Sequence, residues 1–72
     1  MPDSIATSIT LNGDPYPLDG DIALTALLER LNMRRSRVAV EINHQIVPKT
    51  RYDESIVRAG DQVEIINLVG GG

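Results

Sequence analysis

The chain contains no cysteine, so it has no disulfide framework, no thiolate metal site and no thiol nucleophile. It is also poor in positive charge: seven basic residues stand against ten acidic ones, for a formal net charge of −3. That balance argues against nucleic acid as a partner, because neutralising phosphates requires a basic face. No apolar run reaches the length of a membrane span, and the start MPDSIATSI lacks the basic end and long apolar stretch of a signal peptide. The expectation is a cytoplasmic protein with no membrane partner. Histidine occurs once, at His44, and phenylalanine and tryptophan are absent.

What remains is a chain of 72 residues, enough for a single small domain (1–72) that must be stabilised by packing alone. Ile5, Thr7, Ile9 and Leu11 alternate with small or polar residues, the period of a half-buried strand running from Ile5 to Asn12. Asn12-Gly13 supplies the positive φ angles of a tight hairpin turn, so Tyr16 to Leu18 should return antiparallel before Asp19-Gly20-Asp21 breaks the strand. Leu24, Leu27, Leu28 and Leu31, at spacings 0, 3, 4 and 7, put four leucines on one face of a helix, with Asp21 as the best N-terminal cap, Ala23 as the other position for it, lacking a capping hydroxyl, and Asn32 as the stop. Val38, Val40 and Ile42 make a third strand, Asn43-His44 a turn, and Gln45 to Val47 a short fourth strand ended by Pro48.

Lys49 to Val57 reads as irregular or a brief helical turn, with Tyr52, Ile56 and Val57 pointing inward. Ala59-Gly60-Asp61 is another sharp turn, and Gln62 to Val69 is the last and most buried strand. If the first and last strands pair in the middle, the hairpins lie outside them and the helix crosses one face. The expected fold class is therefore α+β: a β-grasp, ubiquitin-like mixed sheet of four to five strands packed on one main helix.

Conventional catalytic constellations are missing. His44 falls in a turn, and Asp14, Asp19, Asp21, Asp53 and Asp61 fall at turns or helix starts, where aspartate has structural reasons to be. No spacing matches a metal cage, a Ser-His-Asp arrangement or a phosphate loop, so neither an enzyme nor a resident metal is expected. Arg34, Arg35 and Arg37 follow the helix. They read either as a solvated helix end complementing the dipole or as a docking patch for an acidic partner.

The sequence ends INLVGGG. Three glycines do little for a core, so the ending is either dispensable or a thin arm tipped by a useful carboxylate. Gly70, Gly71 and Gly72 could enter a narrow channel of another protein, and the terminal carbonyl carbon is sterically open. A carboxylate is a poor acyl acceptor until activated, for instance as a mixed anhydride with AMP.

Taken in order, ALTALLERL, VAVEINHQIVPKTRYD and GDQVEIINLVGGG resemble the ThiS-type sulfur carriers of thiamin biosynthesis, within the wider superfamily of ThiS and molybdopterin-synthase small subunits. The resemblance covers nearly all of the chain from about Ile9. It implies a sulfur carrier and protein co-substrate, not an enzyme. A ThiF-type adenylating enzyme using ATP and magnesium would adenylate Gly72, with Gly70 and Gly71 as the inserted tail. Sulfur from a cysteine desulfurase persulfide would then give a thiocarboxylate, and a ThiG-type thiazole synthase would take the sulfur. The carrier itself would bind no cofactor. The INLV before the glycines, without the aromatic and proline residues usual in molybdopterin-synthase small subunits, favours the thiamin branch.

Ile46, Val47, Ile66 and Leu68 are the candidate docking residues, with ordinary core positions as the other reading, and Val69 is the expected pivot into the tail. The alternatives are a sulfur carrier for molybdopterin or cysteine synthesis, a noncovalent ubiquitin-like interaction module, and a modifier conjugated to lysines.

Overall fold

In the computed structural model, which describes residues 7–68, the first alternation forms strand β1, Thr7–Leu11. Asn12 and Gly13 take φ of 50° and 89°, the left-handed pair whose twist matches a two-residue hairpin. Strand β2, Asp14–Leu18, returns antiparallel and is longer than expected, with Ile9 opposite Tyr16 and Leu11 opposite Asp14. Pro15 and Pro17 have no N–H, so they occupy the alternate positions whose nitrogen faces away from β1. That outer edge of the sheet offers no backbone donor along the strand.

A two-residue strand β3, Ile22–Ala23, precedes helix α1, Leu24–Arg30. The residue at the helix cap is Ala23, the second of the two expected positions, at φ −63° and ψ 141° and without a side-chain capping bond, and not Asp21. Pairing explains the shift. β3 runs antiparallel to strand β6, Ile56–Val57, and the Leu24 N–H donates to the Ser55 carbonyl at 2.9 Å, so a neighbouring segment fixes the helix start here and satisfies the first of its free donors. Asp21 instead faces Arg58 across the surface at 3.6 Å.

Asn32 ends the helix as expected. With φ of 63°, it lets its own N–H reach the Glu29 carbonyl (3.0 Å) and the Met33 N–H reach that of Leu28 (2.8 Å), a Schellman closure with asparagine in the left-handed position.

Strands β4, Val38–Ile42, and β5, Gln45–Val47, flank a second left-handed turn at Asn43 (φ 53°) and His44 (φ 68°). Lys49–Glu54 is a 3-10 helix that buries Tyr52 completely. Of the three residues expected to point inward here, Val57 does so, but Ile56 is 42% exposed. The two are consecutive in a strand, which sends them to opposite sides. Strand β7, Gln62–Asn67, closes the fold and stops before Leu68.

The main sheet has the order β2-β1-β7-β4-β5. β1 and β7 run parallel at its centre and the remaining neighbours are antiparallel, the arrangement expected from two outer hairpins around a pairing of first and last strands. α1 lies across one face with Leu24, Leu27 and Leu28 fully buried against Ile9, Val40 and Val63. The two-stranded β3-β6 sheet has no counterpart in the sequence expectation. Four residues are too few to show an alternation.

Candidate functional site

Because side chains alternate along a strand, register decides which residues share the sheet face that α1 leaves uncovered. On β7 the uncovered row is Gln62, Glu64 and Ile66, continued by Leu68. Ile66 stands opposite Ala39 and Glu64 opposite Glu41 on β4, while Glu41 in turn stands opposite Ile46 on β5. Ile46, Ile66 and Leu68 are 74%, 50% and 43% exposed, so among the described residues three of the four large exposed aliphatic side chains lie on or beside one surface. Val47 is the exception among the docking candidates. It pairs with Val40 on the core side and packs against the core, as the residue next to Ile46 in a strand must. Val69, Gly70, Gly71 and Gly72 lie outside the described residues.

The strand that leads to those glycines is gripped from both sides by turn asparagines. Asn12 accepts the Ile65 N–H at 2.8 Å on Oδ1 and donates from Nδ2 to the Ile65 carbonyl at 3.3 Å, so an amide side chain imitates the next rung of the parallel ladder. Its own N–H donates to the Val63 carbonyl at 2.9 Å. From the other hairpin, Asn43 accepts the Gln62 N–H at 2.9 Å on its side-chain oxygen, and its amide reaches Asp61 at 3.1 Å. Asp61 also accepts the Arg58 N–H at 2.9 Å. Both asparagines were legible in sequence as turn residues. Their grip on β7 was not, since it depends on the register of a strand far along the chain.

On the covered side, the Tyr52 hydroxyl donates to the Val38 carbonyl at 3.2 Å. Burial raises the Tyr52 pKa from its ordinary value, partly offset by a backbone hydrogen bond from Val40 and by the nearby Arg35 charge. Arg35 lies 5.7 Å from the Tyr52 ring centroid, pairs with Asp53 at 2.6 Å and donates to the Lys49 carbonyl at 3.2 Å. Arg35 opens a second, three-residue 3-10 helix, Arg35–Arg37, and its side chain, 46% exposed, ties that segment to Lys49–Glu54 while staying in contact with solvent. His44 is exposed in its turn. Among the described residues there is no cluster of three or more metal-ligating side chains, and no helix is long and apolar enough to cross a membrane.

A mixed five-stranded sheet with a parallel central pair and one helix across a face defines a ubiquitin-like β-grasp protein. A sequence model of the ThiS family matches residues 9–72, and the chain belongs to that family. The crystal structure of the thiamine biosynthesis protein ThiS from Geobacter metallireducens is similar with a TM-score of 0.78 and 34% identity, covering 90% of this chain and 99% of that one. The sulfur carrier protein ThiS of Thermus thermophilus is 34% identical over 64 residues, which are 89% of this chain and 98% of that protein. A thiazole synthase of Paramagnetospirillum magneticum is 38% identical over 64 residues, 89% of this chain but 20% of its own length.

Proposed function

We propose that this chain is a sulfur carrier whose Gly72 carboxylate is activated and converted to a thiocarboxylate for thiazole formation in thiamin biosynthesis. The observation that carries the proposal is the family match itself, which runs through residue 72 and so includes Gly70, Gly71 and Gly72. The similarity to a stretch within a thiazole synthase supports thiazole formation as the destination of the sulfur.

The chemistry belongs to the partners, with the chain as their co-substrate. A ThiF-type adenylating enzyme joins the Gly72 carboxylate to AMP from ATP, with magnesium, and pyrophosphate leaves. This exchanges a poor leaving group for a good one. The terminal sulfur of a persulfide, supplied by a cysteine desulfurase, attacks the acyl carbon and AMP departs. A thiol then cleaves the remaining S–S bond, leaving the thiocarboxylate. A ThiG-type thiazole synthase accepts the sulfur and the carrier returns as the carboxylate. The contribution of this chain is steric and positional: residues without side chains at the reacting end, carried by a strand fixed in the sheet.

Intact mass after incubation with a ThiF-type enzyme, ATP, magnesium and a sulfur source tests the reading. A gain equal to one sulfur replacing one oxygen is expected in the full chain and not in a variant lacking Gly72. The same gain in both proteins, or in neither while the enzyme modifies its own carrier, rules it out.

A further inference from the structure

Of the asparagines in the chain, Asn12, Asn32, Asn43 and Asn67, only Asn12 is followed by glycine. A side-chain amide is open to attack by the backbone nitrogen of the next residue, and glycine there has no side chain to hinder the approach. The hairpin makes this pairing hard to avoid. Its two turn residues take φ of 50° and 89°, a region that glycine and asparagine enter more readily than other residues. No atom beyond its chain neighbours lies within 4 Å of where a Cβ on Gly13 would stand, so water and base reach this peptide. What opposes the reaction is the grip on β7. With Oδ1 accepting from the Ile65 N–H at 2.8 Å and Nδ2 donating to the Ile65 carbonyl at 3.3 Å, the Asn12 carboxamide is held across the sheet, committed to another strand.

We infer that Asn12 is a self-modification site, kept intact by its clamp on Ile65 and deamidated when that clamp opens. The Gly13 nitrogen gives its proton to base and attacks Asn12 Cγ. The bond from Cγ to Nδ2 breaks, and ammonia leaves, closing a five-membered succinimide. Water then adds to one of the two ring carbonyls and opens the ring to aspartate or isoaspartate, with no oxidation or reduction at any step. Both products undo the clamp. Aspartate keeps an acceptor for the Ile65 N–H, but sets a carboxylate oxygen against the Ile65 carbonyl where a donor stood. Isoaspartate also inserts a methylene into the backbone of a two-residue turn that fixes the β1–β2 register. β1 pairs with β7 only at Thr10 and Leu11, so among the described residues the Asn12 side chain is what extends that pairing to Ile65. The other candidates differ in chemistry. Asn43 grips β7 similarly but precedes His44, whose side chain crowds the attacking nitrogen, and Asp19 precedes Gly20 but presents a carboxylate, a poor acyl acceptor.

The test is incubation of the full chain at mildly alkaline pH, folded in buffer and unfolded in guanidinium chloride at the same temperature. Intact mass follows the replacement of an amide nitrogen by oxygen, and peptide mapping locates it. Conversion is expected at Asn12 in both samples, roughly tenfold or more slowly in the folded chain, because two hydrogen bonds must open first. Asn12→Gln, which would have to close a six-membered ring, should show no such gain over the same period. The separated isoaspartate form is expected to melt below the parent. Asn12→Asp makes the other product directly and should melt between the two. Equal rates in the folded and unfolded samples, conversion that maps to another asparagine, no conversion in the unfolded chain, or either product melting at or above the parent each overturns the inference.

Discussion

The two faces of the main sheet are built by the same five strands and obey the same alternation, yet they hold opposite kinds of surface. On the covered face Ile9, Val40 and Val63 are at most 2% exposed beneath α1. On the other face Ile46 is 74% and Ile66 50% exposed, with two glutamates between them. A small domain has little apolar surface to spare, and leaving aliphatic side chains in water on one side forgoes burial that the fold could have used. The contrast teaches that burial and exposure are divided by side-chain parity. Odd and even positions along one strand answer to different demands.

The largest test of that division is Leu27→Ala, which opens a cavity beneath a helix residue that is 0% exposed. A loss of about 2–5 kcal/mol is expected in urea unfolding, much of what so small a domain has. Tyr52→Phe should come next, at about 1–2 kcal/mol, since the Val38 carbonyl is left without its hydroxyl donor inside the core.

The same tyrosine sets an alkaline limit. Its pKa is raised in the folded state, so the unfolded chain ionises first. Its contribution is fully present below the ordinary value of about 10 and is lost as pH rises from there through the folded value. Stability measured against pH should fall in that window for the parent and fall less for Tyr52→Phe. A smaller effect of opposite sign is expected from Ala23→Ser, which supplies the missing cap and should add about 0.5–1 kcal/mol in the same unfolding measurement. The smallest change belongs to the open face: Ile66→Ser should alter stability by no more than about 0.5 kcal/mol. A loss comparable to that of Leu27→Ala would break the comparison.

Much of this architecture is legible in the chain because its signals are local. Four leucines at helical spacing, asparagines at both tight turns and alternating Val38, Val40 and Ile42 each state their own conformation. The central pairing of first and last strands, read conditionally from the order and apolar character of the elements, is the one the sheet adopts. The misreadings arise where distant segments meet. Asp21 looked like a cap because the β3–β6 pairing that displaces it is invisible until both strands are in place. Ile56 and Val57 looked equally apolar, and only the pairing decides which is buried. Val47 was grouped with Ile46 by composition, although parity sends it to the core. For the candidate site, the glycines were readable as a chemical end, but the opposition of Glu41 and Glu64 requires a register between strands more than 20 residues apart in sequence.

The prolines on β2 have a consequence for assembly. Edge-to-edge growth of a sheet into a fibre needs two open edges on every subunit, one to accept and one to offer. Here the β2 edge lacks donors at Pro15 and Pro17, while the β5 strand is three residues long and is followed by Pro48. Any strand added along β5 leaves a sealed β2 edge behind it, so such association terminates at a pair and has no repeat unit to propagate.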